Sequence, residues 1–322
     1  MKNKFILFSI LILIFSVSAS AAQKWNMPTA YGDGYFQTQN VREFAARVEK
    51  ETKGEINITV HSGASLFSAS EIFRAVRGGQ AEIGELIMSN LGNEDPLFNV
   101  DSIPFLAVGY GQSRKLWEIS RPALEKSLDK MGVVLLFAVP WPPQNFYTKE
   151  ELKDISFFKG RKLRAYNAIT SRMADLLGAS PTTVQVPEIP QAFSTGIVDA
   201  MITSGATGVS SQSWDFINYY VEVEAWMPKN MVFINKKTWN RLSKENQKII
   251  MAAAKDAEEK GWKLSEEVNA KDVKTLAEKG IKVVKPAEGM MNDLRKVGKT
   301  MADEWVNQTG KTGKDILSKL NK

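Results

Sequence analysis

One histidine, His61, and no cysteine occur among the 322 residues, and that shortage decides most of the available chemistry. A Ser-His-Asp triad, a multi-histidine metal site, a thiolate zinc site, an iron–sulfur cluster and a cysteine nucleophile all lack their raw material. No metal and no cofactor are therefore expected. Neither Gly-x-Gly-x-x-Gly nor Gly-x-x-x-x-Gly-Lys-Ser/Thr appears, so no phosphate-cradling loop is expected either. The run Lys149-Glu150-Glu151-Leu152-Lys153-Asp154 reads as a solvated turn or helix edge, not as paired acid and base carboxylates. His61 closes a short strand and reads as packing. Most hydrolytic chemistry is thereby disfavoured; among the remaining groups, a guanidinium offers a planar fork and a permanent charge to a carboxylate. Arg164, in Gly160-Arg161-Lys162-Leu163-Arg164, is by its local sequence one of many arginines at a strand end.

The chain carries 42 Lys+Arg against 36 Asp+Glu, a formal net charge of +6. Lys2 and Lys4 precede an apolar run from Phe5 to Val17, and Ala19-Ser20-Ala21 follows as a small-residue site. That order is a secretory signal peptide over residues 1–22, cleaved near Ala21/Ala22. Phe5 to Val17 spans only about 20 Å as a helix, short of the roughly 30 Å hydrocarbon core, so a membrane anchor is disfavoured. Cleavage removes two lysines and leaves 40 basic against 36 acidic side chains. This excess is too small and dispersed to argue for nucleic acid. The expectation is a periplasmic protein with no stable membrane insertion after cleavage.

The elements alternate, as in α/β layers. Val41, Phe44, Ala45 and Val48 repeat at helical spacing before Gly54, and Ile56, Ile58 and Val60 alternate as a half-buried strand. Gly132 to Val139 is continuously apolar, as in a strand covered on both faces. Trp141-Pro142-Pro143 breaks it, and a first crossing between domains is expected there. Ser243 to Lys279 contains no proline and predicts one long helix or a kinked pair bent at Gly261. At 1.5 Å per residue it would cover roughly 55 Å, more than one domain's width. Leu294, Val297, Met301 and Trp305 mark a last amphipathic helix.

An internal similarity links two segments. Glu71-Ile72-x-x-Ala75-x-x-x-Gly79-x-Ala81-Glu82 matches Glu188-Ile189-x-x-Ala192-x-x-x-Gly196-x-Val198-Asp199. In each, a short helix stops at a glycine and a strand follows. The strands lead into Ile87-Met88-Ser89-Asn90 and Thr203-Ser204-Gly205, ends free of bulky charge. Two related lobes would present such strand ends to a ligand.

Three motifs carry a resemblance over nearly the whole mature chain. They are Gly160-Arg161-Lys162-Leu163-Arg164, then Leu177-Gly178-Ala179-Ser180-Pro181, then Ala192-Phe193-x-x-Gly196-x-Val198-Asp199. Supporting stretches are Gly79 to Ile83, Ile103 to Leu106 and Thr309 to Leu317. In this order and spacing the chain resembles the extracytoplasmic solute-binding proteins of tripartite ATP-independent periplasmic (TRAP) transporters, DctP type. The resemblance implies a two-lobed α/β periplasmic binding protein, type II-like, with crossing strands and a long helix spanning both lobes. It implies residues 23–140 plus about 232–270 as lobe I, and 141–231 plus about 271–322 as lobe II.

It also implies a cleft that closes on an organic acid, and delivery to TRAP membrane permease subunits. Arg164 matches the arginine that grips the carboxylate in this family, and Asn167 a ligand-contacting amide that is equally placed to cap a helix. Thr203 and Ser204 fall where relatives carry polar contacts, and Ile87 and Met88 where sugar-acid binders carry polar or charged groups. Trp141, Gln144 and Asn145 are expected at the crossing, Trp214 and Trp226 beside the second lobe, Tyr31 and Tyr35 after the first strand. One arginine among apolar and aromatic residues implies a monocarboxylate, such as a 2-oxo or 2-hydroxy acid with an apolar or aromatic tail. A C4-dicarboxylate or a sulfonate is the alternative within the class. An exported carboxylate-based enzyme or the binding subunit of an ABC importer stands outside it.

Overall fold

The computed structural model describes residues 22–322; the expected signal peptide lies almost wholly outside them. In chain order the elements are β1 (Gln23–Pro28), α1 (Phe36–Glu51), β2 (Ile56–His61), α2 (Ile72–Gly78), β3 (Ile83–Ile87), α3 (Gly109–Lys130), β4 (Val133–Pro140) and β5 (Asn145–Thr148). There follow β6 (Lys162–Ala165), α4 (Ala168–Leu176), β7 (Ser180–Thr183), α5 (Ile189–Ser194), β8 (Ala200–Thr203), α6 (Gly205–Ser210) and β9 (Tyr219–Val221). The chain ends with β10 (Lys229–Asn235), α7 (Lys236–Arg241), α8 (Lys244–Glu278), β11 (Lys282–Val284) and α9 (Glu288–Leu320).

Two lobes are built on separate sheets. In the first, β3-β10-β4 is antiparallel, and the parallel pair β1-β2 lies beside it. The Asn26 N–H, donating to Glu82 Oε2 at 2.8 Å, joins the two pieces. The second sheet is mixed, in the order β11-β9-β5-β8-β6-β7. Its edge strand β7 is where Pro181 sits, a residue that cannot serve a central ladder. The glycines of the motif around Arg164 also have a local reason. Gly160 and Gly178 both have positive φ (74° and 75°), and the Gly160 N–H donates to Gly178 O at 2.8 Å, fixing the start of β6 against β7.

The repeated segments fold alike down to individual hydrogen bonds. Gly79 and Gly196 both take left-handed φ, 78° and 69°. Ala81 N–H returns to Ala75 O, and Val198 N–H to Ala192 O. Ile72 and Ile189, the matching apolar anchors, are both fully buried. The result is one helix–glycine–strand unit in each lobe, delivering the C-terminal ends of β3 and β8 towards one another.

The chain crosses from the first sheet to the second at Trp141-Pro142-Pro143 and returns between β9 and β10. The two crossings run side by side: Trp141 N–H bonds Pro228 O at 2.8 Å, and Gln144 exchanges backbone bonds with Trp226 O and Ala225 N–H, each 2.9 Å. The third link is α8, which packs on α1 and β4 in the first lobe and on α6 in the second. Helical from Lys244 to Glu278, it has no break at Gly261. That glycine is there for close approach, because a Cβ would collide with Val139 and Asn40. The final helix α9 buries Leu294, Val297, Met301 and Trp305 as expected. It lies chiefly against α3, with a smaller contact on α4. It thus packs against elements on both sides of the crossing at Trp141-Pro142-Pro143.

Candidate functional site

The ends of β3, β6 and β8 converge on a cavity of about 310 Å³ between the lobes. Open α/β sheets bind ligands at such strand ends because neighbouring loops part there. Ile87 closes β3, Arg164 stands one residue before the end of β6, and Thr203 closes β8; all three line the cavity. Tyr31, Trp141 and Gln144 line it too, from the loop after β1 and from the first crossing.

Arg164 is the dominant group. Only 2% of it is exposed. Its Nε donates to Val184 O at 2.9 Å, while its buried Nη2 has no partner. Burial pulls the guanidinium pKa down to about 10, against the pull of the Tyr166, Tyr35 and Tyr31 hydroxyls and of Glu188. The group therefore keeps its charge at neutral pH, and no carboxylate among the described residues pairs with it. Its guanidinium carbon lies 5.1 Å from the centre of the Tyr166 ring. Arg164 is the sole cation among the described residues that line the cavity, and Glu188 is the sole carboxylate.

The aromatic wall is held from behind. Tyr31 meets Trp141 edge-on at 4.9 Å between ring centres. Both are tied to Asn230 Oδ1, the Trp141 Nε1–H at 2.8 Å and the Tyr31 hydroxyl at 3.3 Å. Asn230 in turn donates to Glu85 Oε1 at 3.1 Å, and Thr29 Oγ1 donates to Glu85 Oε2 at 2.5 Å. Burial raises the Glu85 pKa, opposed by the hydrogen bonds from Thr29 and Asn230. This satisfied network fixes the rotamers of the wall without taking a place in the cavity.

Five expected site residues are placed elsewhere. Met88 is packed in the core. Ser204 caps α6, its Oγ accepting the Thr207 N–H at 3.3 Å. Asn145 staples the crossing: its Nδ2 donates to Pro143 O (3.1 Å) and Tyr220 Oη (2.6 Å), and its Oδ1 accepts the Glu224 N–H (2.7 Å). Trp214 packs against the cluster that includes Tyr147, Phe193 and Tyr220, with Lys279 Nζ 5.4 Å from its ring centre. Asn167 caps α4 in a reciprocal box with Thr170 and lines an adjoining hollow of about 240 Å³, which shares Ala69, Asn90, Tyr166 and Gln185 with the cavity. Its Nδ2 crosses the cleft to Ser89 Oγ at 2.7 Å. Tyr35 also crosses, from the first lobe to Ser210 on α6, and Trp226 Nε1 donates to the Tyr166 hydroxyl at 3.2 Å. The lobes thus touch across the cleft.

Several lining residues escaped the sequence reading. Tyr166 stands two residues after Arg164, the strand spacing that returns a side chain to the same face. Gln185 to Glu188 belong to the 3-10 turn that opens the second repeat, and Glu188 was visible there only as a repeat position. Asn90 and Thr207 each follow a repeat strand, at its turn in the first lobe and in α6 in the second.

The model of bacterial extracellular solute-binding protein family 7, DctP, matches residues 28–309. Among solved structures, the chain is 43% identical to DctP7 of Bordetella pertussis, an extracytoplasmic solute receptor binding pyroglutamic acid. The TM-score is 0.92, over 94% of this chain and 100% of that one. It is 40% identical to DctP6 of the same organism, also a receptor binding pyroglutamic acid, with TM-score 0.91 over 93% and 99% of the two chains. A marine-metagenome TRAP solute-binding protein specific for pyroglutamate is 35% identical, with TM-score 0.91 over 93% and 99%.

Proposed function

This chain belongs to bacterial extracellular solute-binding protein family 7, the DctP family, and on that premise we propose that its cleft takes a small cyclic monocarboxylate of the pyroglutamate type. The protein is an extracytoplasmic TRAP solute receptor, which binds a small organic acid and hands it to membrane permease subunits. Among the described residues no helix is long and apolar enough to cross a membrane. The family is one of receptors, not of enzymes; in our reading the ligand leaves unchanged, and residues 1–22 are the export signal, cut near Ala21/Ala22.

The observation that carries the ligand class is Arg164, whose buried Nη2 is unpaired and whose side chain lines a cavity with Tyr31, Ile87, Trp141, Tyr166 and Pro228 among its walls. One fixed positive fork asks for one carboxylate. The lone acidic lining residue, Glu188, would repel a second carboxylate, which disfavours C4-dicarboxylates. At about 310 Å³ the cavity is at the small end of ligand pockets, suited to a compact ring more than to a long tail. Three relatives at 35–43% identity bind pyroglutamate.

In this reading the carboxylate docks on Arg164 of the second lobe, the ring slides against Tyr31 of the first and Trp141 at the crossing, and the lobes rotate together. Only the closed state offers both sets of contacts, so ligand shifts the equilibrium towards it. The proposed lobes are residues 23–140 with about 232–270, and 141–231, with 271–322 shared between them. A thermal-melting screen against pyroglutamate, lactate, a branched 2-oxo acid and succinate tests the class. At 100 times its dissociation constant a ligand stabilises by about 2.7 kcal/mol. We expect that response to pyroglutamate and none to succinate; a melting curve moved by succinate and unmoved by pyroglutamate overturns the reading.

A further inference from the structure

Two buried polar atoms without partners belong to residues lining the cavity: Arg164 Nη2, a donor, and Asn90 Oδ1, an acceptor. They come from opposite lobes, Asn90 from the turn after β3 and Arg164 from β6. We propose that Asn90 is the specificity residue of the cleft, and that its Oδ1 accepts a hydrogen bond from an N–H of the ligand. The ligand is thereby an acid whose carboxylate and amide N–H lie on one small ring. This deepens the pyroglutamate reading above and rests on it.

Three amide and indole donors of the cleft region are already committed elsewhere. Asn167 Nδ2, which crosses the cleft nearby, goes to Ser89 Oγ. Trp226 Nε1 goes to Tyr166. Gln144 Nε2, the amide donor of the cavity's other wall, goes to Pro142 O at 2.9 Å. A buried acceptor with no donor costs free energy, so a ligand that supplies the donor gains and one that presents only acceptors is rejected. A 2-oxo acid offers oxygen lone pairs to Asn90 Oδ1, acceptor against acceptor. A lactam acid offers its ring N–H. Because Asn90 and Arg164 belong to different lobes, a ligand satisfying both also ties the lobes together, so recognition of the N–H acts through closure.

The test is calorimetry with pyroglutamate and its ring-oxygen analogue, 5-oxotetrahydrofuran-2-carboxylate, in which oxygen replaces N–H. Wild-type protein should bind the lactam about 10- to 100-fold more tightly than the lactone. Asn90→Ala should bring the lactam down to the lactone's affinity while leaving the lactone unchanged. Asn90→Asp, which keeps an acceptor oxygen, should weaken both ligands by charge repulsion but retain the preference for N–H, and melting of the unliganded variants confirms their folding. Undiminished lactam preference in Asn90→Ala overturns the role of Asn90 and leaves the ligand class standing. Wild-type protein that binds neither compound overturns the class itself, and the role of Asn90 with it.

Discussion

Arg164 and Lys229 are both buried cations, 2% and 1% exposed, and they differ in what the chain supplies to them. Lys229 Nζ lies 3.9 Å from Asp101 Oδ2 and donates to Ser113 Oγ at 3.1 Å and to Met227 O at 3.3 Å. Asp101 is held in turn by the Lys229 N–H at 2.8 Å and the Ser102 hydroxyl at 3.1 Å. Burial lowers the lysine pKa and raises that of the aspartate, while their mutual attraction opposes both shifts. Arg164 has one backbone carbonyl and an empty-handed Nη2. A buried charge whose counter-charge is built into the chain holds structure together. One whose counter-charge is missing, as at Arg164, is the group proposed above to meet a ligand.

The largest expected effects separate these two roles. Arg164→Met should weaken pyroglutamate binding by about 2–5 kcal/mol, since it strips the carboxylate of its partner. It should change the unfolding free energy of the unliganded protein by less than about 1 kcal/mol, because an uncompensated buried charge goes with it. Lys229→Met should do the reverse. It leaves Asp101 buried without its cation, costing about 3–5 kcal/mol of stability, while the folded fraction keeps its affinity. Adding Asp101→Asn to Lys229→Met should recover much of the loss. Urea unfolding and calorimetry on the same samples decide the matter: a large stability loss in Arg164→Met, or a large affinity loss in Lys229→Met, breaks the distinction.

A third charge sharpens it. Asp272 on α8 is buried where α8 passes the start of α6, 3.3 Å from where a side chain on Gly205 would begin. Burial pushes its carboxyl pKa up to about 6, with only Lys271 pulling it down. This carboxyl binds its proton more tightly folded than unfolded. Its contribution to stability is therefore complete below the unfolded value near 3.8 and is lost as pH rises through 6. Asp272→Asn should leave stability unchanged at pH 4 and raise it by about 1–3 kcal/mol at pH 7.5, from the linkage of pKa shift to folding. A difference that does not vary with pH would show that the Asp272 charge is not what burial penalises.

The architecture was legible because it rests on patterns the backbone enforces. Continuous apolarity announced β4, the helix–glycine–strand repeat announced both lobes, and proline at 142 and 143 announced the crossing. Arg164 was legible only through the motif around it, since no local pattern distinguishes a buried strand-end arginine from a surface one. Gly261 misled because bending and close approach demand the same residue, and only the position of Val139 tells them apart. Asn145, Ser204 and Asn167 misled for a related reason. A short polar side chain at a strand or helix end caps, staples or binds with the same atoms, and its choice is set by partners far away in sequence, such as Tyr220 and Glu224 for Asn145. Asn90 was legible only as part of the strand end Ile87-Met88-Ser89-Asn90, because an unsatisfied acceptor is defined by the absence of neighbours, which sequence does not display.

The smallest expected effect concerns Asn167, where both roles meet in one side chain. Its Oδ1 accepts the Thr170 N–H at 3.1 Å and caps α4, and its Nδ2 donates across the cleft to Ser89 Oγ. Both partners are in the chain, so by the contrast between Lys229 and Arg164 we expect this residue to support structure and closure and not to touch ligand. Asn167→Ala should cost about 1 kcal/mol of stability through the lost cap. It should lower affinity only by the worth of one neutral hydrogen bond, about 0.5–1.5 kcal/mol, because the closed state loses one of its latches. Asn167→Asp separates the two contributions: the carboxylate still caps the helix and stability returns, while the donor to Ser89 is gone and the affinity loss persists. Should Asn167→Ala instead abolish binding as Arg164→Met does, with stability unaltered, then a side chain whose partners are all internal would be serving the ligand, and the contrast between paired and unpaired buried groups would fail where it is most finely drawn.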